Sequence, residues 1–231
     1  LRGDAPFAQG TLTIDNCTVD GTYAVYAVNA VDPLARATKI KFFDRIIVSN
    51  LIVEGRRQLA AFQIEKRFSS ASDVFEKTDV FEVSNMVFNR RNAGVNCAIF
   101  VSIAGDNTRW CKRVNFKDIK YNIIAYIPSG AFTDAVVSVR GLFADEVYVD
   151  NFYGFVPYVV NCDTLTAVNS SVGAAGIQYT FVFPSEGQYR FYGCDLYTGF
   201  QNSTTGTFSL EFINCTFIDA NVYDGSAAGA T

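Results

Sequence analysis

The chain contains no histidine, which restricts the chemistry that its side chains can perform. Ser–His and Cys–His nucleophile pairs, and the common zinc sites with histidine ligands, require imidazole, so none of them can be built here. Any catalysis must therefore use Asp, Glu, Lys, Arg or Tyr. No metal or other cofactor is expected, because no Cys-x-x-Cys pair or metal-ligand spacing occurs.

Two carboxylates are the candidates for acid–base catalysis, Glu65 and Asp106. Glu65 ends an apolar-alternating run that begins at Leu59, and the alternation places Gln63 and Glu65 on the outward side. Ser102 should lie outward beside Glu65 on the next strand, and Asp106 follows in the adjoining loop. The alternative is a solvated strand face flanked by acidic loop residues.

Four arginines could form a subsite for an anionic sugar: Arg56, Arg57, Arg90 and Arg91. They follow Asn50 and Asn85 at nearly equal distances, so stacking of those segments would gather the guanidinium groups. Arginine forks suit carboxylates and sulfates. The alternative is pairing with Asp20, Glu54 and backbone carbonyls. The single tryptophan, Trp110, could stack on a sugar ring or pack against the body of the protein.

The element that must position these residues is a pattern that recurs eight times: apolar, any, apolar, any, Asn, apolar, any, apolar. The interrupting residue is Asn in six copies, Asp in one and Gly in one: Asn16, Asn50, Asn85, Asp118, Asn151, Asn169, Gly193 and Asn214. These residue types tolerate the left-handed conformation at low cost. Each copy is therefore predicted to be two short strands joined at a bend, with the apolar side chains of both pointing the same way.

The spacing of the bends indicates a solenoid made of strands. Positions 16, 50, 85, 118, 151, 169, 193 and 214 are separated by 34, 35, 33, 33, 18, 24 and 21 residues. The apolar alternation has a period of two, which excludes a helical solenoid. The shorter spacings exclude propeller blades, which need about 40 residues. The pattern predicts three short strands per turn, with successive turns stacked at about 4.8 Å.

A further apolar-alternating run follows each bend region and is predicted to be the third strand: residues 23–29, 59–65, 97–103, 123–127, 158–163 and 179–183. In the fifth run Val160 and Cys162 should face inward, and Asn161 and Asp163 outward. Glu65 and Asp163 would be separated by about 14 Å, which exceeds the roughly 5–9.5 Å of glycosidase carboxylate pairs.

The repeated asparagine bends resemble those of right-handed parallel β-helices of the pectin-lyase-like superfamily. The resemblance implies an all-β fold of about eight coils, with an asparagine ladder at one bend, over nearly the whole chain. It also implies that the groove over the third strand binds polysaccharide. The superfamily includes polysaccharide lyases, glycoside hydrolases, phage tailspikes and proteins without known catalysis. The calcium-binding aspartates that pectate lyases use are not recognisable here.

Composition favours one elongated domain over residues 1–231, since 49% of the residues are hydrophobic and 21 are Phe. The net charge of −4 argues against nucleic-acid binding. No apolar run is long enough for membrane insertion, and no signal peptide is visible. A first residue other than Met, and the lack of capping helices, lead us to expect a fragment or processed part of a larger protein.

Three of the six cysteines occupy the inward position directly after a bend, namely Cys17, Cys194 and Cys215. Because other copies have Leu, Met, Ile or Phe there, these thiols are predicted to be buried and reduced. Cys194 and Cys215 could face each other on adjacent turns, where a disulfide is possible but not required. Cys97 and Cys162 are predicted to be inward on the third strand, and Cys111 is predicted to lie in a loop.

The sequence thus leads us to expect a carbohydrate-directed β-helix that binds or cleaves an acidic polysaccharide, as part of a phage tailspike or a secreted protein. Its partner would be a polysaccharide or cell-surface glycan, and its location extracellular, at a cell surface or on a virion. If it is an enzyme, it would be a polysaccharide lyase or glycoside hydrolase. The alternative is a non-catalytic structural or adhesive shaft. A homotrimer is one assembly that is left open.

Overall fold

The computed structural model describes residues 10–20, 23–30, 39–40, 43–55, 59–67, 74–75, 77–90, 97–101, 109, 111–123, 137–140, 142–157, 160–173, 180–183, 186–197, 199–202, 207–218 and 222–223. All regular secondary structure in these residues is β-strand, so this part of the chain holds no helix that could cross a membrane. The strands are β1 (Thr11–Asp20), β2 (Tyr23–Ala30), β3 (Lys39–Ile40), β4 (Arg45–Gly55), β5 (Leu59–Arg67), β6 (Val74–Phe75), β7 (Thr78–Arg90), β8 (Cys97–Val101), β9 (Cys111–Ile123), β10 (Val137–Arg140), β11 (Leu142–Phe152), β12 (Phe155–Pro157), β13 (Val160–Asn161), β14 (Thr164–Val168), β15 (Ser171–Val172), β16 (Thr180–Phe183), β17 (Gly187–Tyr192), β18 (Asp195–Leu196), β19 (Gly199–Asn202), β20 (Phe208–Ile213), β21 (Thr216–Phe217) and β22 (Val222–Tyr223).

These strands pair in parallel within four sheets. A nine-stranded sheet has the order β1-β4-β7-β9-β11-β14-β17-β20, with β13 beside β11. An eight-stranded sheet has the order β2-β5-β8-β10-β12-β15-β18-β21, and the smaller sheets are β16-β19-β22 and β3-β6. Across each sheet the strands follow one another in chain order, so a strand pairs with the strands that come before and after it in that sheet's sequence. This order is compatible with a parallel β-solenoid, as predicted from the spacing of the bends.

The predicted left-handed bend is present in all eight repeats, where a repeat means one copy of the pattern around its bend residue. The six asparagines and Asp118 have φ angles between 48° and 54°, and Gly193 has a φ of 60°. Most side chains would be strained in this conformation, and Asn, Asp and Gly are the residues that adopt it most readily. The residue type at each bend therefore follows from the backbone conformation that the repeat requires.

Neighbouring bends lie side by side because the strands on both sides of each bend pair without a shift. Ser49 is in register with Ser84, and Leu51 with Met86, which places Asn50 next to Asn85. The Asn85 Nδ2 donates a hydrogen bond of 2.6 Å to Asn50 Oδ1. Farther along, Asn151 Nδ2 donates a bond of 2.7 Å to Asp118 Oδ1.

Much of the core is formed by the positions four and two residues before a bend and one and three residues after it. In the repeat around Asn85 all four of these side chains are completely buried: Phe81, Val83, Met86 and Phe88. Phe116 contacts both Phe81 and Phe152 edge to face, with ring centroids 6.2 and 5.8 Å apart. Aromatic contacts therefore run through the core from one repeat to the next.

The predicted third strand forms in four of the six runs, although not always in the same sheet. The runs starting at residues 23, 59 and 97 form β2, β5 and β8 of the eight-stranded sheet. The run 179–183 forms β16, which follows β14 and β15 but pairs in the three-stranded sheet, whereas the run 158–163 contains only the two-residue strand β13, which pairs with β11. In the last three repeats the short strands directly after the bend, β15, β18 and β21, belong to the eight-stranded sheet. The strands that follow them, β16, β19 and β22, form the three-stranded sheet. The run 123–127 falls outside the described residues except for Ile123, which ends β9.

The structure corrects two predictions about cysteines. Cys17 is exposed rather than buried, and within the described residues only Leu51 is in register with it. Cys111 lies not in a loop but at the start of β9, where it is completely buried. Cys194 is buried and Cys215 partly exposed, and both are free thiols, as is Cys17. Val160 and Cys162 face the core, and Asn161 and Asp163 are more exposed, as predicted.

One buried polar group is a testable weakness of the core. Thr78 Oγ1 is fully buried and has no hydrogen-bond partner among the described residues. Replacing Thr78 by valine keeps the shape and removes the hydroxyl, so the free energy of unfolding should rise by about 1–2 kcal/mol. Urea unfolding would measure this, with Thr166→Val, on the outward side of β14, as the matched control. A loss of stability in Thr78→Val would show that the hydroxyl is bonded in solution.

Candidate functional site

Most of the predicted site residues lie outside the described part of the chain, so their grouping stays a prediction: Arg56, Arg57, Arg91, Ser102, Asp106 and Trp110. Gln63 and Glu65 both lie in β5, where Gln63 is in register with Tyr26 and Phe100. Arg90 ends β7 opposite Gly55. The backbone thus places Gln63 and Glu65 in the eight-stranded sheet and Arg90 in the nine-stranded sheet.

A second corner of each repeat, which the sequence analysis missed, lies six residues before the bend. The residues there stack into what we call the corner column: Gly10, Asp44, Asp79, Lys112, Asp145, Asp163, Gly187 and Phe208. Backbone bonds join its members, such as Asp163 N to Asp145 O at 2.9 Å. Aligning the copies on their bends would have revealed it, since six of the eight residues are Asp or Gly, which favour turns.

The corner column carries a network of charges that we call the Arg109 cluster. The Arg109 Nη1 lies 2.6 Å from Asp163 Oδ1 and 3.8 Å from Asp145 Oδ1, and its Nε donates to Asn161 Oδ1 at 3.0 Å. Lys77 forms a further ion pair with Asp145. The Arg109 side chain is only 23% exposed, so part of the network is shielded from water. The cluster joins four successive repeats.

The Arg109 cluster does not have the surroundings of a glycosidase acid. Asp145 and Asp163 lie on neighbouring repeats, whose spacing of about 4.8 Å along the stack would allow the carboxyl groups the separation of roughly 5–5.5 Å that a retaining pair needs. A general acid, however, is kept protonated by apolar surroundings, whereas both carboxylates here contact cations. The arrangement is that of an ion-pair network, suited to holding repeats together.

The buried thiols near this corner are unsuited to nucleophilic chemistry. Burial raises the pKa of Cys162 to about 12, although the nearby Arg109 acts in the opposite direction. Burial likewise raises the pKa of Cys111 to about 12. Since the thiolate is the reactive form, these two cysteines serve as packing groups. Among the described residues, no group of three His, Cys, Asp or Glu side chains could hold a metal ion.

Polar contacts on the outer face of the nine-stranded sheet also connect different repeats. Arg113 donates from Nε and Nη2 to Glu146 Oε2, each at 2.8 Å. The Tyr192 hydroxyl donates to Glu211 Oε2 at 2.8 Å, and this bond raises the pKa of Tyr192.

At the first repeat, Asp15 accepts bonds from two side chains of the next repeat. Ser49 Oγ lies 2.6 Å and Asn50 Nδ2 2.8 Å from Asp15 Oδ1. Because both donors favour the charged form, they hold the pKa of the Asp15 carboxyl below its ordinary value of 3.8.

Two tyrosines project into solvent on either side of one bend. Tyr148 is 40% exposed and Tyr153 54% exposed, before and after Asn151. On the outer face, Tyr148 lies between Asn115 of the preceding repeat and Thr166 of the following one. We call these residues, together with Lys117 and Lys120 of the preceding repeat, the tyrosine face. An exposed aromatic ring flanked by hydrogen-bonding groups is suited to contact with a partly apolar, partly polar ligand.

Comparisons of this chain with protein-family models, with curated proteins and with solved structures found no match. The fold and the geometry of these surfaces therefore carry the functional argument.

The Arg109 cluster should stabilise the stack more than a fully exposed ion pair does. Arg109→Gln removes a partly buried cation from two carboxylates, so the free energy of unfolding should fall by about 1–3 kcal/mol. Arg113→Gln breaks only the exposed pair with Glu146 and should cost less than about 1 kcal/mol. Urea unfolding of both variants would test this. Equal losses in the two variants would contradict a special role for the cluster.

Proposed function

We propose that the chain is a right-handed parallel β-helix of the pectin-lyase-like kind, with about eight coils and an asparagine ladder at one bend. Support comes from the eight left-handed bends and from the purely parallel pairing of the strands. Right-handedness is favoured because crossover connections between parallel strands are right-handed in almost all proteins. On this proposal each repeat is one coil, and residues 1–231 belong to one domain.

The proposed ladder has a chemical break at Asp118. An asparagine can accept from one neighbouring repeat and donate to the other, as Asn50 does when it accepts from Asn85 and donates to Asp15, the residue before the first bend. Asp118 accepts from Asn151, but a carboxylate has no N–H to donate to Asn85. An amide at position 118 could bridge both neighbours.

Asp118→Asn should therefore stabilise the protein. The new amide can donate toward Asn85 while still accepting from Asn151, so we expect a gain of about 1 kcal/mol in the free energy of unfolding. Asp150→Asn is the matched control, because it removes the same charge one residue before the next bend. A gain of equal size in both variants would indicate relief of the negative net charge rather than completion of the ladder.

We further propose that the protein is a carbohydrate-directed β-helix that binds an acidic polysaccharide or cell-surface glycan, outside the cell or on a virion. The exposed Tyr148 on a rigid strand face carries this proposal. A sugar ring could lie against the tyrosine while its hydroxyls meet Asn115 and Thr166 on the neighbouring strands. Because the strands are fixed by the stack, little ordering would be needed when the glycan binds.

Preference for an acidic glycan is supported by cations beside the tyrosines. Lys117 and Lys120 are exposed, and neither forms an ion pair among the described residues. Lys120 lies on the repeat next to Tyr153, since Tyr153 N donates to Ile119 O. The predicted group of Arg56, Arg57, Arg90 and Arg91 would extend the positive surface. Cleavage of the glycan by Glu65 and Asp106, as a lyase or hydrolase, remains part of the proposal.

The second candidate is a structural or adhesive shaft, and a specific observation favours it. The ion pairs among the described residues connect different repeats, such as Lys112 with Asp79 at 2.6 Å and Arg190 with Glu211 at 3.7 Å. Charges used in this way reinforce the stack laterally and need no ligand. The two candidates predict different results in a binding assay.

Binding to a panel of acidic and neutral glycans would separate them. If the tyrosine face binds sugar, Tyr148→Ala should weaken binding by roughly tenfold, the loss of about 1.4 kcal/mol of contact. Lys120→Gln should weaken binding at low salt and matter less as salt rises.

Ile213→Ala, which removes a side chain of similar exposure, 43%, from another repeat, is the control. No binding and no product release with any glycan would favour the shaft. If a glycan is cleaved and Glu65→Gln and Asp106→Asn abolish the release of product, the protein is an enzyme as well as a glycan-binding protein.

A further inference from the structure

Cys194 and Cys215 occupy the same position in two neighbouring repeats, one residue after the bend. Asp195 is in register with Thr216, and Thr216 N donates to Cys194 O at 2.9 Å, so the two cysteines are direct neighbours on adjacent strands. Their thiols have equivalent partners: Cys194 Sγ lies 3.4 Å from Ala167 O, and Cys215 Sγ 3.2 Å from Phe191 O. The two side chains therefore leave the backbone in the same direction.

The separation of the two cysteines suits a disulfide. Adjacent strands place their Cα atoms about 4.8 Å apart, within the roughly 4.4–6.8 Å that disulfides span, although parallel side chains must approach slightly to bring their Cβ atoms within roughly 4.5 Å. The Cys215 thiol lies toward the repeat of Cys194, since its Sγ is 3.2 Å from Phe191 O of that repeat. Both are free, so the bond could form with only a small approach of the last repeat.

No other described cysteine has such a neighbour. Cys17 is in register with Leu51, and Cys97 with Leu59 and Val137. Cys111 and Cys162 share another inward column, but Ala144 of the intervening repeat separates them. Within the described chain, two cysteines are therefore direct neighbours only in the last two repeats.

We propose that Cys194 and Cys215 form a redox-sensitive staple, which a low-molecular-weight disulfide closes and a thiol reopens. The Cys215 thiolate attacks one sulfur of the small disulfide, whose S–S bond breaks and releases one thiolate. Cys194 then loses its proton and attacks the Cys215 sulfur, releasing the second thiolate. Two protein thiols are oxidised to one disulfide, and the small disulfide is reduced to two thiols.

The order of attack follows from exposure. Cys215 is partly exposed, whereas Cys194 is 1% exposed and its burial raises its pKa to about 11. A small disulfide can reach Cys215, and Cys194 is positioned to resolve the mixed disulfide from inside. The proposal does not depend on glycan binding.

The staple would fix the last repeat. Among the described residues this repeat packs against only one neighbouring repeat, and its contacts include the stacked rings of Phe191 and Phe212, 5.2 Å apart. Phe217 at its edge is 46% exposed. A covalent link between the last two repeats would oppose separation of β20 and β21 from the stack, because opening would then have to strain or break the bond.

Oxidised glutathione is the probe for the test, applied to the full chain. After incubation in graded mixtures of oxidised and reduced glutathione, non-reducing peptide mapping should show Cys194 linked to Cys215, with Cys17, Cys97, Cys111 and Cys162 still thiols. Amide hydrogen exchange in β20 and β21 should slow by about tenfold or more on oxidation. Reduced glutathione in excess should restore both readouts.

Two variants separate the steps. Cys194→Ser should retain one glutathione on Cys215, because no resolving thiol remains. It should also fold, since the equivalent position of an earlier repeat already holds a buried serine, Ser170. Cys215→Ser should take up no glutathione at Cys194. A stable glutathione adduct on Cys215 of the unmodified chain would overturn the proposal, and so would the absence of any reaction or a cross-link between other cysteines.

Discussion

The left-handed conformation of one residue per repeat is the constraint on which the rest of this structure depends. Alternation alone would turn the side chain after each bend outward, away from the side chains before it. A residue with φ near 50°, such as Asn50, breaks the alternation so that Val48 and Leu51 both enter the core. Since most residue types adopt this conformation at a cost of about 1–2 kcal/mol, the bends are restricted to Asn, Asp and Gly.

Because every bend has the same geometry, residues at the same distance from their bends stack on one another and form columns that run across the repeats. Inward columns become the core, where Phe81, Phe116 and Phe152 meet on successive repeats. Outward columns become rows of polar contacts, which explains why the ion pairs join residues far apart in sequence, as Arg113 and Glu146 do. A substitution at one position therefore affects mainly the residues at the same position in the two neighbouring repeats.

This organisation separates stability from recognition. Inward groups such as Cys162 are buried and unreactive, and most described charges are used between repeats. The groups left for a ligand are the outward ones without such partners, which in the described chain include Tyr148, Tyr153 and Lys120. For this reason we place the proposed glycan contact on the tyrosine face rather than at the carboxylates of the Arg109 cluster.

The sequence by itself determined the bends, the inward positions and the parallel stacking, because these follow from the conformation and alternation of each short segment. Only the tertiary structure decided that Arg109 reaches Asp163 and Lys77 reaches Asp145, since these contacts join residues far apart in sequence. It also decided that Cys17 is exposed although Cys194 is not. Burial in a stack depends on the neighbouring repeats, which a single copy of the pattern does not specify.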